Sequence, residues 1–168
     1  MTGRITLRPG TPADADVVGR VFLACWHVSY ADLLSPAALA RYDEAGARAL
    51  WRRVLTGHPD GTLVADLPGD AGVRGVVRFG PDPDDPDAGH VFSLYVHPDG
   101  QGLGLGGRLL GAAVDRLRAA GHDAATLWVF AANASARAFY ARHGFTPDGT
   151  TRIEPEYAEP ELRLRRPL

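Results

Sequence analysis

The chain predicts an α/β fold in which helices flank a mixed central sheet. Three observations carry that prediction. Several short apolar stretches alternate or cluster like strands between proline- and glycine-rich turns. Other stretches repeat at helical spacing, as in Val17, Val18, Val21, Phe22 and Cys25, which share one face. The unbroken apolar run Ala124–Phe130 suits the centre of a sheet covered on both faces.

Residues 4–8 read as a short first strand. Thr11 caps the helix after it; Pro12 suits its first turn, Asp14 completes a capping box, and the helix runs to about Trp26. The stretch 29–55 reads as two short helices, the first opened by Pro36 and the second carrying Trp51, Val54 and Leu55. Thr62–Leu67 and 73–79 form a hairpin through Pro68-Gly69-Asp70-Ala71-Gly72. The segment Pro81-Asp82-Pro83-Asp84-Asp85-Pro86-Asp87 reads as a solvated acidic loop that stays out of the sheet.

Strand four covers 91–96, and a helix over roughly 104–120 comes next. That helix puts Leu105, Leu109, Leu110, Ala113, Val114 and Leu117 on one stripe and Arg108, Asp115, Arg116 and Arg118 outside it. After the central strand, Asn133 caps a helix ending at His143, with Gly144 as its left-handed C-cap and Phe145 behind it. Two last strands lie near 146–153 and 156–165. In the second, Arg163, Arg165 and Arg166 alternate with Leu162 and Leu164, a pattern that suits a terminal edge strand. The order is β-α-α-β-β-β-α-β-α-β-β, with no repeat and no linker, so a single domain over 1–168 is expected.

Composition narrows the function classes. The net charge of −2 argues against nucleic-acid or anionic-membrane binding as the main activity. All 18 basic residues are arginine, which reads as genome composition rather than mechanism. A single cysteine, Cys25, excludes an internal disulfide and any multi-cysteine metal site, so no metal is expected, and its place on the apolar face marks it as core. No apolar run reaches the ~18–20 residues of a membrane span. Met1-Thr2-Gly3-Arg4 lacks the apolar centre of a signal peptide, so a cytoplasmic location is expected.

The most informative segment lies between strand four and its helix. Five glycines fall within the eight residues 100–107, directly after a strand and before an amphipathic helix. Glycines allow a tight turn that approaches a ligand through backbone. The helix N-terminus directs free N–H groups and positive dipole at the same place. Such a turn binds a di- or triphosphate without lysine. Gly102-x-Gly104-x-x-Gly107 also matches the dinucleotide fingerprint, but the acid that motif needs at the end of the next strand is missing: Asp123 precedes that strand. A P-loop is excluded because the turn has no Gly-Lys-Ser/Thr.

Gln101-x-x-Gly104-x-Gly106, preceded by Leu94-Tyr95-Val96-x-Pro98 and followed by Leu109-Leu110, resembles the acetyl-coenzyme A motif of the GNAT superfamily of N-acetyltransferases. The segment 127–145 resembles that family's second signature: an apolar strand, an asparagine, then a helix bearing Phe139-Tyr140 and ending in Gly144-Phe145. The motifs have the family's order and separation, and the element order fits nearly the whole chain.

The resemblance implies a GNAT-like domain that moves an acetyl group from acetyl-coenzyme A, as co-substrate, to a primary amine by direct attack. The backbone N–H groups of Gln101, Gly102, Leu103, Gly104, Leu105, Gly106 and Gly107 would hold the pyrophosphate. Leu94, Tyr95 and Val96 would pair with the pantetheine arm through main chain, and one of their amides would polarise the thioester carbonyl. Asn133 matches the asparagine that contacts the coenzyme. Tyr140 matches the tyrosine proposed to protonate the departing thiolate, and a phenol near pKa 10 facing a thiol near 8.5 is expected to donate its proton downhill as the thiolate forms. Trp26, His27 and Tyr30 would wall the acceptor site. The partner would be a small-molecule or peptide amine, with a homodimer as an option.

The general base is the weak place. An alkylammonium of pKa ~10.4 is neutral only about once in 10³ molecules at pH 7. Many relatives carry a glutamate on strand four or five. Here neither strand has one, and Trp128 stands where some relatives place it. His90 and Ser93 are the polar candidates on strand four, and His90, with a reference pKa of ~6.5, could act through water. Failing them, a carboxylate must reach in from elsewhere, such as Asp32 or Glu154 and its neighbours on the last hairpin. The rival reading is a non-catalytic acyl-coenzyme A-binding or regulatory module on the same scaffold.

Overall fold

The computed structural model describes residues 4–168, so the segment 1–3, part of the stretch tested for a signal peptide, lies outside the described residues. The elements are β1 (Thr6–Pro9), α1 (Ala15–Ser29), α2 (Pro36–Leu39), α3 (Glu44–Gly57), β2 (Thr62–Leu67), β3 (Gly72–Pro81), β4 (Ala88–Val96), α4 (Leu105–Ala119), β5 (Ala124–Phe130), α5 (Ala134–Arg142), β6 (Thr146–Glu154) and β7 (Glu159–Pro167). Three helices precede β2: α1 and the two short helices expected over 29–55, one more than the written element order counted. None of the described helices is long and apolar enough to cross a membrane.

The strands form one seven-stranded sheet in the order β1-β2-β3-β4-β5-β7-β6. Every neighbouring pair is antiparallel except β4 and β5. Each face of the sheet carries its own core. Leu105, Leu109, Leu110, Val114 and Leu117 of α4 pack on one face against Val77, Val91, Leu127 and Phe145. Val18, Phe22 and Trp26 of α1 pack on the other with Trp51 of α3 and Val64 and Val76 of the sheet. Burying such large side chains on both faces stabilises each by about 1.5–3 kcal/mol relative to exposure.

Local signals behave as the residues require. The Thr11 N–H donates to Asp14 at 2.8 Å, and Asp14 is held by Arg8 at 2.7 Å, which also reaches Asp66 at 2.8 Å. Asn133 Oδ1 accepts the Ala136 N–H at 3.1 Å and starts α5. Gly144 takes φ +84° behind α5, the Phe145 N–H donates to the Tyr140 carbonyl, and Phe145 is buried.

Two expectations need correction. The strand carrying Arg163, Arg165 and Arg166 is not an edge: β7 inserts between β5 and β6, leaving β6 outside. Its arginines are engaged: Arg163 with Asp148, Arg165 with Asp85, and Arg166 with the His143 carbonyl. The acidic segment after β3 is not wholly solvated. Pro81 still pairs with Gly89, and Asp82 is buried, where it accepts the hydroxyl hydrogen of Thr126.

Candidate active site

The site begins where β4 and β5 part. Their parallel pairing covers only Ala88↔Ala124, Gly89↔Ala125 and His90↔Thr126, although β4 runs on to Val96 and β5 to Phe130. Parallel strands that diverge leave main-chain groups on their facing edges without ladder partners. β4 keeps its other edge paired with β3 as far as Val96. The gap is therefore a cleft with one rigid wall of backbone.

The glycine-rich turn closes one end of this cleft. After β4, His97 Nδ1 accepts the Asp99 N–H at 3.1 Å, and the Gln101 N–H donates to the Pro98 carbonyl at 3.1 Å. Gly102 and Gly104 adopt φ +78° and +75°, conformations that side chains oppose. Beyond Gln101, the next backbone N–H to find a carbonyl acceptor among the described residues is Arg108, which donates to Gly104 at 3.1 Å. The N–H groups of residues 102–107 thus stand free at the start of α4, aligned with its positive dipole end. This is an anion cradle made of main chain.

The cleft occupies about 650 Å³. Its walls include Leu94, Tyr95 and Val96 of β4, and Gln101, Gly102, Gly104, Leu105, Gly106 and Gly107 of the turn. Asn133 and Tyr140 complete the expected set. Leu103 is missing from the walls and its side chain is 50% exposed, so only its backbone can serve there. Ser135, Phe139 and Arg142 of α5 also line the cleft; no local motif distinguishes them from ordinary helix surface.

A second chamber, about 250 Å³, opens on the α1 side of the sheet. Tyr30, Tyr95, Asn133, Ala136 and Tyr140 line both cavities, so the two adjoin there. The chamber wall is strongly aromatic. Trp26 packs against Tyr30, Tyr42 and Tyr157 with ring centroids 5.3, 5.5 and 5.3 Å apart. Trp26 and Tyr30, expected to wall an acceptor site, both line this chamber. His27 does not: it is exposed and lines neither cavity.

Burial sets the protonation states. Desolvation pushes the phenol of Tyr140 well above its ordinary value, and it pushes Tyr30 up to about 12, helped by the charges of Cys25 and Glu161. These phenols therefore stay protonated and can donate. The expectation of an easy proton transfer from Tyr140 needs correction. Even on reference values a phenol near 10 loses its proton to a thiolate near 8.5 only uphill, and burial steepens that slope. At the cleft wall the protonated Tyr140 can donate a hydrogen bond. Full transfer needs the thiolate to be destabilised by the same desolvation.

His90 is the clearest correction. It is buried and lines neither cavity. Its Nδ1 lies 2.7 Å from Thr126 Oγ1, and that hydroxyl donates onward to Asp82, so Nδ1 is the donor to Thr126. Desolvation lowers its pKa despite the nearby Asp82. The histidine is part of a structural network at the closed end of the β4–β5 pair. Ser93 and Asp32 also line neither cavity.

Two carboxylates do line the second chamber: Glu154 near the end of β6 and Glu161 on β7. The sequence pointed to Glu154 and its neighbours on this hairpin only as a fallback. Glu161 is opposite Phe130 in the sheet, yet nothing local in Glu161-Leu162-Arg163 distinguishes it from a surface acid. Its importance comes from β7 inserting beside β5.

Comparison with known proteins agrees with this geometry. The sequence model described as the Acetyltransferase (GNAT) family matches residues 26–145. A Mycobacterium tuberculosis protein named "Probable N-acetyltransferase Rv2775" is 31% identical over 156 residues, covering 88% of this chain and 83% of that protein. A GCN5-related N-acetyltransferase structure from Rhodopseudomonas palustris superposes with a TM-score of 0.77 at 26% identity, over 100% of this chain and 98% of that one. The PaiA N-acetyltransferase of Thermoplasma acidophilum, solved with coenzyme A, superposes at 0.76 with 18% identity, over 99% and 100% of the two chains.

Proposed function

The chain belongs to the acetyltransferase (GNAT) family, and on that premise we propose that it transfers the acetyl group of acetyl-coenzyme A to a primary amine by direct attack. The observation that carries this reading is the adjacency of two cavities, which share Tyr30, Tyr95, Asn133, Ala136 and Tyr140 as wall. A module that only bound the coenzyme would need the cleft but not the aromatic chamber beside it.

The residues fit acetyl-coenzyme A. The free N–H groups of the turn suit its diphosphate, and the open edge of β4 suits the amide-bearing pantetheine arm. When bound, the coenzyme supplies an acyl carbon activated as a thioester. In the reaction an N–C bond forms, the C–S bond breaks, and the thiol and one proton leave.

Each group of the chain has a task. Residues of the turn, including Leu103 through its backbone, hold the phosphates. The main chain of Leu94, Tyr95 and Val96 aligns the arm, and an amide among them polarises the carbonyl. Asn133 fixes the start of α5 beside the cleft while its remaining polar atoms face the coenzyme. Tyr140 donates to the leaving sulfur. Trp26 and Tyr30 exclude water around the amine.

A thiol-release assay across a panel of amines, run at several pH values, tests this directly. Amine-dependent release of coenzyme A is the expected result. Tight coenzyme binding with no release for any amine would favour a non-catalytic binding module.

A further inference from the structure

The second chamber has a chemical character of its own, and its role as an acceptor site rests on the acetyl-transfer reading. We propose that it takes a primary monoamine with a flat apolar body and no carboxylate, whose ammonium group is received by Glu161.

Size comes first. An apolar cavity of about 150 Å³ lodges a benzene molecule. A chamber of about 250 Å³ therefore holds one aromatic ring with a short amine-bearing arm. Phe22, Leu50 and Phe92 offer apolar surface, and Trp26, Tyr42 and Tyr157 present rings to a flat molecule.

Charge decides the polar end. Glu154 and Glu161 are the charged residues in the chamber wall, and no arginine lines it. Of the arginines beside the chamber, Arg78 lies 4.5 Å over the Phe92 ring without itself lining the chamber, and two others are held by carboxylates. Arg152 donates to Glu161 Oε2 at 2.6 Å and lies 4.2 Å over the Trp128 ring. Arg41 donates to Glu156 at 3.2 Å and sits 6.0 Å from the Tyr157 ring centroid. An amino acid acceptor would thus bring its carboxylate to two glutamates, with no cation in the chamber wall to receive it.

Glu161 is the receiving group because of its place. It is 7% exposed, stands across the sheet from Phe130, and shares the chamber with Tyr30 and Tyr140 of the shared wall. Arg152 occupies Oε2, while Oε1 has no hydrogen-bond partner among the described residues. Glu154 also leaves Oε1 without a partner among the described residues, but its Oε2 accepts the N–H groups of Glu156 and Tyr157, which holds it at the hairpin turn rather than beside Phe130. Both acids lie on the β6–β7 hairpin, so the charge is on one wall. A diamine would have to leave its second ammonium among rings. Seated against Glu161, R–NH₃⁺ passes one proton to the carboxylate, giving R–NH₂ and the neutral acid.

Arg152 from β6 contacts Glu161, and Glu154 from β6, Tyr30 just after α1, Tyr140 from α5 and Tyr157 from the turn share the chamber wall with it, with Arg163 nearby on β7 held by Asp148. Arg152 is the only cation touching it among the described residues, and burial still raises the Glu161 pKa above its ordinary value.

The test titrates 2-phenylethylamine, L-phenylalanine and 1,4-diaminobutane into the wild-type protein saturated with coenzyme A, reading tryptophan fluorescence from Trp26 and Trp128. The phenylethylamine should bind at least tenfold more tightly than either other amine. Glu161→Gln should weaken its binding at least tenfold while the dissociation constant of coenzyme A stays unchanged. Equal or tighter binding of L-phenylalanine or the diamine overturns the proposal, without needing the variant to fold. Phenylethylamine that binds as expected while no amine releases thiol supports the chamber assignment and defeats acetyl transfer. Thiol release with other amines, and no phenylethylamine binding, does the reverse.

Discussion

The thiol of Cys25 on α1 lies 2.9 Å from the carbonyl oxygen of Val96, the last residue of β4, and so ties the helix to the strand that walls the cleft. Burial pushes the thiol up to about 12. A protonated sulfur that spends its hydrogen on a carbonyl is no nucleophile. Acetyl transfer should therefore pass through no acyl-enzyme. Intact-protein mass spectrometry during turnover should find only the unmodified chain. Thiol-directed reagents should react slowly until the pH approaches 12. An acetyl group found on Cys25 would contradict direct attack.

Tyr140 should act on the leaving group rather than on coenzyme binding. Tyr140→Phe is expected to lower kcat by about 10²–10³, the cost of removing one hydrogen-bond donor to developing charge, and to leave coenzyme affinity nearly unchanged. Because burial raises the phenol, the wild-type rate should show no falling limb near pH 10. Steady-state kinetics with a chemistry-limited amine would check both points. An unchanged kcat would reduce Tyr140 to a packing role.

At the far edge of the sheet, Arg8 holds the Asp14 carboxyl at about 2, below its ordinary 3.8. A depressed carboxylate pKa sets the sign: the stabilisation is fully present above about 3.8 and is lost as pH falls towards 2. Arg8→Met should destabilise the protein at neutral pH by about 1–3 kcal/mol. That gap to the wild type should narrow in urea titrations as the pH approaches 2. A gap independent of pH would show that Arg8 acts through packing alone.

One physical division separates the features legible in the sequence from those that were not. Features built from contiguous residues were legible: the Thr11–Asp14 cap, the Gly144–Phe145 helix end, and the turn at Gly102 and Gly104. Each depends on local backbone chemistry. Features that depend on which strands become neighbours were not. The alternating pattern of β7 suits an edge, and only its insertion beside β5 turns its arginines into ion-pair partners and brings Glu161 to the chamber. His90 illustrates the same limit. Its sequence neighbourhood is compatible with a surface base, but Asp82 and Thr126, which hold it, come from the loop after β3 and from β5. His27 fails for a simpler reason: one step along a helix from Trp26 turns a side chain by about 100°.

The central claim is that coenzyme A is held by main chain at the glycine turn, and a calorimetric titration of Gly104→Val tests it most directly. A Cβ at Gly104 would meet nothing within 4 Å, so the variant has room to fold. Its cost is the φ of +75°, about 1–2 kcal/mol for an ordinary residue and more for a β-branched one. Relieving that strain turns the free N–H groups away from the phosphate position. Wild-type protein should bind coenzyme A, and the folded variant should bind at least tenfold more weakly. Undiminished affinity in a Gly104→Val protein shown to be folded by its melting transition would contradict the account.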